Sequence, residues 1–256
     1  MENIIYCFSA HGNSLKTAMD LSKRLGNTEI VPIRYDTTYR QDKDIKRIGI
    51  ITSVIDFGLP ICVKEFIEKM PSAVNAPYFF AIVTNGGMPF ATEMQIENRL
   101  RKNGYQLSSS FLVKFELDQS ATEVWESEID KIACVIKDQK IKRPILYLHD
   151  KIVTTLVNPL ADRLAMSGDK KFKVNTKCDD CGVCEKICPT GNIRMVNGQP
   201  VWQHHCIQCG ACFCWCPQEA ISGKNLAAKT RYTNPDISLD QMLSDATRTI
   251  YESPDL

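Results

Sequence analysis

The chain has 256 residues, enough for a substantial core and a second small unit beside it. Its 31 basic and 30 acidic residues leave a formal net charge of +1, with no excess to favour nucleic acid or an anionic membrane as main partner. No apolar run approaches the roughly 18 residues of a membrane span. The start, MENIIYCFSAHG, with its acidic second residue, reads as a strand and not as a secretion signal, so a cytoplasmic location is expected.

Ile4–Phe8 is the first strand candidate. It runs into FSAHGNS, residues 8–14, and then into a helical stripe of Leu15, Ala18, Met19, Ser22 and Leu25 that stops at Gly26. Two readings fit residues 9–14. One is a plain capped turn. The other is a cradle for a phosphate group, because helix-start N–H groups lack internal partners and Gly12 lets backbone come close. The stretch has neither the Gly-Lys-Ser/Thr ending of a P-loop nor a G-x-G-x-x-G spacing.

Further strands are expected at Ile30–Ile33, Ile48–Ile51, Phe79–Val83 and Phe111–Phe115, short and apolar throughout as in a parallel sheet covered on both faces. Helices are expected over Val63–Met70, stopped by Pro71, and over 91–103, stopped by Gly104. A Ser120/Glu123 capping box is expected ahead of Trp125, Ile129, Ile132 and Ile136. Five strands alternating with helices predict a doubly wound α/β sheet. Ligands of such sheets bind beyond the carboxyl ends of the strands. Loops 9–14, 53–60 (SVIDFGLP) and 84–90 (TNGGMPF) should therefore meet there; each of the last two also reads as a simple turn.

A first strand followed by F-S-x-x-G-N-S, then x-F-G-L-P, then T-N-G-G, resembles the flavodoxin fold and its three FMN loops over about residues 1–145. The usual first loop is Ser-Gly-Thr-Gly-Asn-Ser/Thr; this chain departs from it at Ala10 and His11. The resemblance implies that Ser9, His11, Gly12, Asn13 and Ser14 hold the FMN phosphate. It implies that Phe57, Gly58, Asn85, Gly86 and Gly87 border the isoalloxazine. Asp56 and His11 are the only nearby acid–base candidates, and no catalytic constellation accompanies them.

Residues 148–172 read as a linker holding a helix around Ile152–Met166, whose apolar positions suggest a brace, with Ser167-Gly168-Asp169 as hinge. Lys170, Lys171 and Lys173 read as a solvated face. Of twelve cysteines, Cys7, Cys62 and Cys134 lie among apolar neighbours and read as core; the other nine fall between 178 and 216. Cys178, Cys181, Cys184 and Cys188 give C-x2-C-x2-C-x3-C before Pro189, and Cys206, Cys209, Cys212 and Cys216 repeat it before Pro217. A shift of 28 residues superimposes the runs, together with Gly182 on Gly210 and Ile193 on Ile221. Asn197-Gly198 predicts a hairpin between them. Zinc has no use for the third cysteine and Cys-Pro in both copies, and a disulfide framework suits short secreted chains.

Each copy resembles a bacterial-type ferredoxin unit with two [4Fe–4S] clusters, in which the fourth cysteine of each run reaches the other cluster. Cluster one then takes Cys178, Cys181, Cys184 and Cys216; cluster two takes Cys206, Cys209, Cys212 and Cys188. Cys214 breaks the repeat and reads as a bystander. The tail, 226–256, carries R-Y-x-N-P-D-I and a Ser238/Gln241 capping box before a short helix, and packing over the clusters is its expected role. The expected organisation is thus 1–147 flavodoxin-like, 148–172 linker, 173–225 a small α+β ferredoxin-like unit, then the tail. The whole resembles flavodoxin–ferredoxin fusion proteins of anaerobic microbes, which implies electron transfer between two [4Fe–4S] clusters and FMN, feeding a reductase. The partner is a protein electron donor or acceptor, or a small-molecule acceptor. The alternatives are an FMN-dependent oxidoreductase with its own small substrate, and a redox or oxygen sensor without flavin.

Overall fold

The computed structural model describes residues 2–40, 42, 44–73, 77–115, 122–144, 147–166, 168–223, 226 and 231–244. Five parallel strands form its main sheet: β1 (Asn3–Phe8), β2 (Thr28–Pro32), β3 (Arg47–Ser53), β4 (Tyr78–Asn85) and β5 (Leu107–Lys114). Their spatial order is β2-β1-β3-β4-β5, the flavodoxin-like doubly wound order, which reverses between β1 and β3. All five expected strands form, each one to three residues longer than its apolar run. Helices α1 (Asn13–Leu25) and α4 (Thr122–Lys137) pack together, as do α2 (Ile61–Glu68) and α3 (Thr92–Lys102), consistent with a pair on each face of the sheet. Burial is complete along β1 and nearly so along β3 and β4, as strands covered on both faces require. Gly49 of β3 is needed for packing, because a Cβ there would lie 2.3 Å from the ring of Phe80.

Ser120 of the expected capping box lies outside the described residues, as does Ser167 of the expected hinge. Gly168 and Asp169 instead lie buried in a 3-10 turn, where the Asp169 carboxylate accepts from Asn192 Nδ2 at 2.8 Å and pairs with His204 Nδ1 at 2.9 Å. Cys7 and Cys62 are core residues, but Cys134 is exposed. Helical spacing explains it: Ile129, Ile132, Ala133 and Ile136 take the inner face of α4 and leave position 134 outside.

Helix α5 (Leu148–Ala165) fills the expected linker, but not by its apolar side. Its inner stripe is Thr154, Asn158 and Asp162, while Leu148, Ile152, Leu156, Leu160 and Leu164 are exposed. The partners of that stripe are polar: loop backbone at Ala91 and Asp56, and the side chains of Lys64 on α2 and Gln95 on α3. Thr154 Oγ1 accepts from Ala91 N at 2.9 Å, and Asn158 Nδ2 donates to Asp56 O at 2.7 Å.

The cysteine-rich region is a duplication in three dimensions. β6 (Phe172–Val174) pairs antiparallel with β9 (Ile221–Gly223), and β7 (Ile193–Val196) with β8 (Gln199–Trp202). Val174 faces Ile221 and Trp202 faces Ile193, the same pair shifted by 28 residues in each strand. Short helices α6 (Val183–Ile187) and α7 (Ala211–Cys214) start from Gly182 and Gly210, with φ of 70° and 80°. Left-handed residues recur at the same interval: Asp180 with Gln208, and Gly191 with Glu219. The tail ends in α8 (Leu239–Leu243), begun by the expected Ser238/Gln241 capping box.

Candidate functional site

A cavity of about 830 Å³ opens beyond the carboxyl ends of β1, β3 and β4, where strand order reverses. All three expected loops reach it. Ser9, Ala10, His11, Asn13 and Ser14 line one end, Ser53 to Phe57 another side, and Thr84 to Gly86 with Met88 and Phe90 a third. The volume lies within the range of small-molecule and cofactor sites. Ser53 Oγ is buried on this wall without a hydrogen-bond partner, a group that a polar ligand would satisfy.

The first loop is built from inside. Ser9 Oγ accepts from Gly12 N at 3.1 Å and from Leu15 N at 3.3 Å. Ser14 Oγ and Thr84 Oγ1 share a buried bond of 2.8 Å, which fixes the first loop to the end of β4. Asn13 Oδ1 accepts from Tyr232 OH and from Asn234 Nδ2, both at 2.9 Å. Asn13 itself lines the cavity.

Loop 53–60 holds two non-glycine residues in left-handed backbone, Asp56 (φ 47°) and Phe57 (φ 67°), between reciprocal 3.0 Å bonds joining Ile55 and Gly58. Such backbone persists only where its surroundings hold it. Here Asn158 grips Asp56 O, and Gln95 Oε1 accepts from Leu59 N at 2.6 Å. Phe57, 44% exposed, meets Phe90 edge-on at 5.4 Å. Gly86 has open space where a Cβ would stand.

Of the expected flavin contacts, Ser9, His11, Asn13, Ser14, Phe57, Asn85 and Gly86 line the cavity. Gly12, Gly58 and Gly87 shape it from behind. A Cβ on Gly58 would come within 2.8 Å of Asn158 Cγ, and Gly87 N donates to Asn85 Oδ1 at 2.8 Å. Sequence reasoning placed Ser53, Thr84, Met88 and Phe90 in the expected loops without singling them out, and missed Lys114, Phe115 and Tyr232 as wall residues. Strand ends gave a usable signal for Ser53 and Thr84. Tyr232 stands in the R-Y-x-N-P-D-I segment, but nothing in the sequence tied that segment to this cavity, more than two hundred residues away.

The structure gathers the run cysteines into two sets. The Cys184 thiol is pushed up to about 11 by burial, the backbone of Glu185 opposing, with the sulfurs of Cys181, Cys216 and Cys178 adding. Burial pushes Cys206 up to about 12, with Cys209, Asp169 and Cys188 as charged neighbours and the backbone of Gln208 opposing. Cys212 is raised well above the ordinary thiol value by burial and by Cys209, Cys188 and Cys206, with Cys184 of the other set contributing less. Cys181 and Cys184 in one set and Cys206 and Cys212 in the other thus resist ionising, burial being the main cause in each.

Among the described residues no three His, Cys, Asp or Glu converge on a single metal ion. Single-ion geometry needs sulfurs about 3.8 Å apart around one centre at about 2.3 Å. A cubane takes one cysteine per iron and spreads its ligands more widely. Backbone donors to sulfur repeat with the duplication: Asn192 N to Cys188 Sγ and Ala220 N to Cys216 Sγ, both 3.3 Å. The donor set therefore fits [4Fe–4S] chemistry, where N–H···S bonds stabilise thiolate charge. Cys181 is exposed, whereas Cys209 and Cys212 are buried, Cys209 lying near Cys62 of α2. Cys214, partly buried, packs against the core.

The two regions touch directly. Trp215 Nε1 donates to Ala10 O at 3.0 Å in a buried bond, and Tyr35 N donates to Pro189 O at 2.8 Å. No helix among the described residues is long and apolar enough to cross a membrane.

Residues 177–231 match the family described as "4Fe-4S dicluster domain". A 63-residue stretch is 41% identical to one component of the ion-translocating oxidoreductase complex of Methanosarcina acetivorans, covering 23% of this chain and 24% of that protein. The chain thus matches about a quarter of the length of this curated relative. Among solved structures, the flavodoxin of Streptococcus pneumoniae TIGR4 is 14% identical over 54% of this chain and 99% of its own, with a TM-score of 0.45. A flavodoxin from the domain Archaea is 16% identical over 54% and 98%, with a TM-score of 0.42. The strand order of the sheet itself carries the fold assignment. A flavodoxin-like α/β layer is here joined to an iron–sulfur dicluster unit in one electron-transfer chain.

Proposed function

We propose that this fusion of a flavodoxin-like layer with an iron–sulfur dicluster unit carries FMN in the sheet-edge cavity and two [4Fe–4S] clusters in the two cysteine sets. It then moves electrons between them on behalf of a protein partner such as a reductase. When bound, FMN exchanges one or two electrons and each cubane exchanges one, so their union converts between single-electron carriers and two-electron chemistry. The loop 9–14 would hold the phosphate through Ser9, His11, Gly12, Asn13 and Ser14. Phe57, Gly58, Asn85, Gly86 and Gly87 would shape the ring end. Cys178, Cys181, Cys184 and Cys216 form the first ligand set; Cys188, Cys206, Cys209 and Cys212 form the second.

One observation carries this reading. Trp215, adjacent in sequence to Cys216, hydrogen-bonds Ala10 of the cavity wall, so a buried route of covalent and hydrogen bonds runs from ligand set to cavity. Exposure adds a separate route, through the other ligand set. Cys181 lies at the surface, where an external carrier can dock, while buried Cys209 lies against α2, which leaves the cavity loop 53–60.

Anaerobic purification with flavin, iron and sulfide quantitation tests the proposal. The expected result is one FMN and two cubanes per chain. Iron and sulfide at that level with no FMN taken up on addition would overturn it.

A further inference from the structure

The segment 231–237 follows the last strand of the cysteine-rich region and crosses to the far end of the molecule's other half. At its start, the Arg231 guanidinium lies 3.9 Å from the centre of the Phe213 ring and donates to the Phe213 carbonyl. It also donates to Ile221 O at 2.7 Å and to Glu219 O at 3.1 Å. The three carbonyls belong to the second cysteine run, the turn after it and strand β9. An arginine seated on three carbonyls is a specific anchor, since its planar donors suit several acceptors at once.

Three residues later the chain lies on loop 9–14. Asn234 N donates to His11 O at 2.7 Å, and Asn234 Nδ2 and Tyr232 OH both donate to Asn13 Oδ1 at 2.9 Å. The Tyr232 ring meets His11 edge-on at 6.5 Å and lines the cavity. Contact is so close that a Cβ on Gly12 would lie 2.9 Å from Asn234 Cβ and 3.3 Å from Ile237 Cβ. Gly12 thus has two reasons to be glycine, its φ of 98° and this seat. Lys16 reaches Asp236 at 3.6 Å, and Ile237 is buried.

We propose that 231–237 is a strap that completes the phosphate end of the flavin site, with Tyr232 and Asn234 as positioning residues that orient Asn13 and Arg231 as their anchor on the cluster loop. The inference rests on the FMN reading of the cavity. Turning the Asn13 oxygen onto the strap presents its NH2 to the ligand; without the strap that side chain is no longer held in one orientation. Phosphate binding is thereby made dependent on an element anchored to the iron–sulfur unit.

Full-length protein with its clusters tests this, using Tyr232→Phe/Asn234→Ala together and, separately, Arg231→Met. Affinity for FMN and for riboflavin is measured by flavin fluorescence, and cluster content by iron assay and visible absorption. Loss of two neutral hydrogen bonds should weaken FMN roughly tenfold. Riboflavin, which lacks the phosphate, should bind the variants as it binds the unaltered chain, and cluster content should be retained. Arg231→Met should weaken FMN in the same sense although Arg231 does not line the cavity. If the unaltered chain binds FMN and all variants bind it equally well, the strap is overturned and the cavity reading stands. An equal loss of riboflavin would also overturn the strap, because it would mean general loosening. If the unaltered chain takes up no FMN, the cavity reading itself fails.

Discussion

Asp20 shows what a single carboxylate does in this chain. Its side chain, 4% exposed on α1, pairs with Lys16, accepts from Lys23 at 3.1 Å and from Trp125 Nε1 at 2.9 Å. Burial alone would raise its pKa, but the bonds from Lys16, Trp125 and Lys23 outweigh burial and hold it below the ordinary carboxylate value. A depressed folded value contributes stability that is fully present above the unfolded value of about 3.9 and is lost as pH falls through the folded value. Asp20→Asn should therefore lower the unfolding free energy by about 1–2 kcal/mol at pH 7. It should also lose less stability than the unaltered chain between pH 5 and pH 3. Urea titrations at three or four pH values check this; parallel losses in the two proteins would sink the assignment. None of this was legible in the sequence, where Asp20 lies outside the apolar stripe of α1 and has no marked partner. Its partner Trp125 lies 105 positions away, and only the packing of α1 on α4 brings them together.

At the scale of elements, α5 decides whether the cavity keeps its shape. Asn158 is fully buried; its Oδ1 accepts from Lys64 Nζ at 2.6 Å and Gln95 Nε2 at 2.9 Å, while its NH2 donates to Asp56 O at 2.7 Å. One side chain thus ties α2, α3 and the left-handed stretch of loop 53–60. Truncation strands two donors and one acceptor in the interior, where each unsatisfied group costs about 1–3 kcal/mol before relaxation. Asn158→Ala should destabilise the protein by about 3 kcal/mol. It should also speed amide exchange at Leu59, whose N–H is held by Gln95 Oε1. A stability change with unaltered exchange at Leu59 would show that α5 supports the fold but not the loop. The elements themselves were readable: apolar runs gave the five strands, and Gly26, Pro71 and Gly104 marked helix ends. The inner face of α5 was not, because hydrophobic periodicity assumes an apolar partner. A helix packed on polar partners inverts that rule, with Thr154 and Asn158 inward and leucines outward.

Over the whole molecule, the duplication explains how two cysteine runs can serve as one unit. Equivalent strands pair at equivalent registers, equivalent left-handed residues turn both ligand loops, and equivalent N–H groups point at Cys188 and Cys216. Such symmetry was visible as a 28-residue shift in the sequence, and so were all eight cysteines. The contact between halves was not visible, since Trp215 to Ala10 and Asn234 to His11 join segments more than two hundred positions apart. The neighbours of Cys184 include Cys216, and those of Cys206 and Cys212 include Cys188, in keeping with the proposed exchange of last cysteines between the runs. Single alanine variants would each remove one cluster whether or not the ligands cross, so pairs are needed to decide. Under crossed ligation, Cys181→Ala with Cys216→Ala strikes one cluster and should leave about four of about eight irons. Cys181→Ala with Cys188→Ala strikes both and should leave almost none. Uncrossed ligation predicts the reverse order, because Cys181 and Cys188 would then share a cluster. Iron and sulfide assays after anaerobic reconstitution of the two pairs decide between them, and the reversed order would refute the exchange of ligands between the two halves.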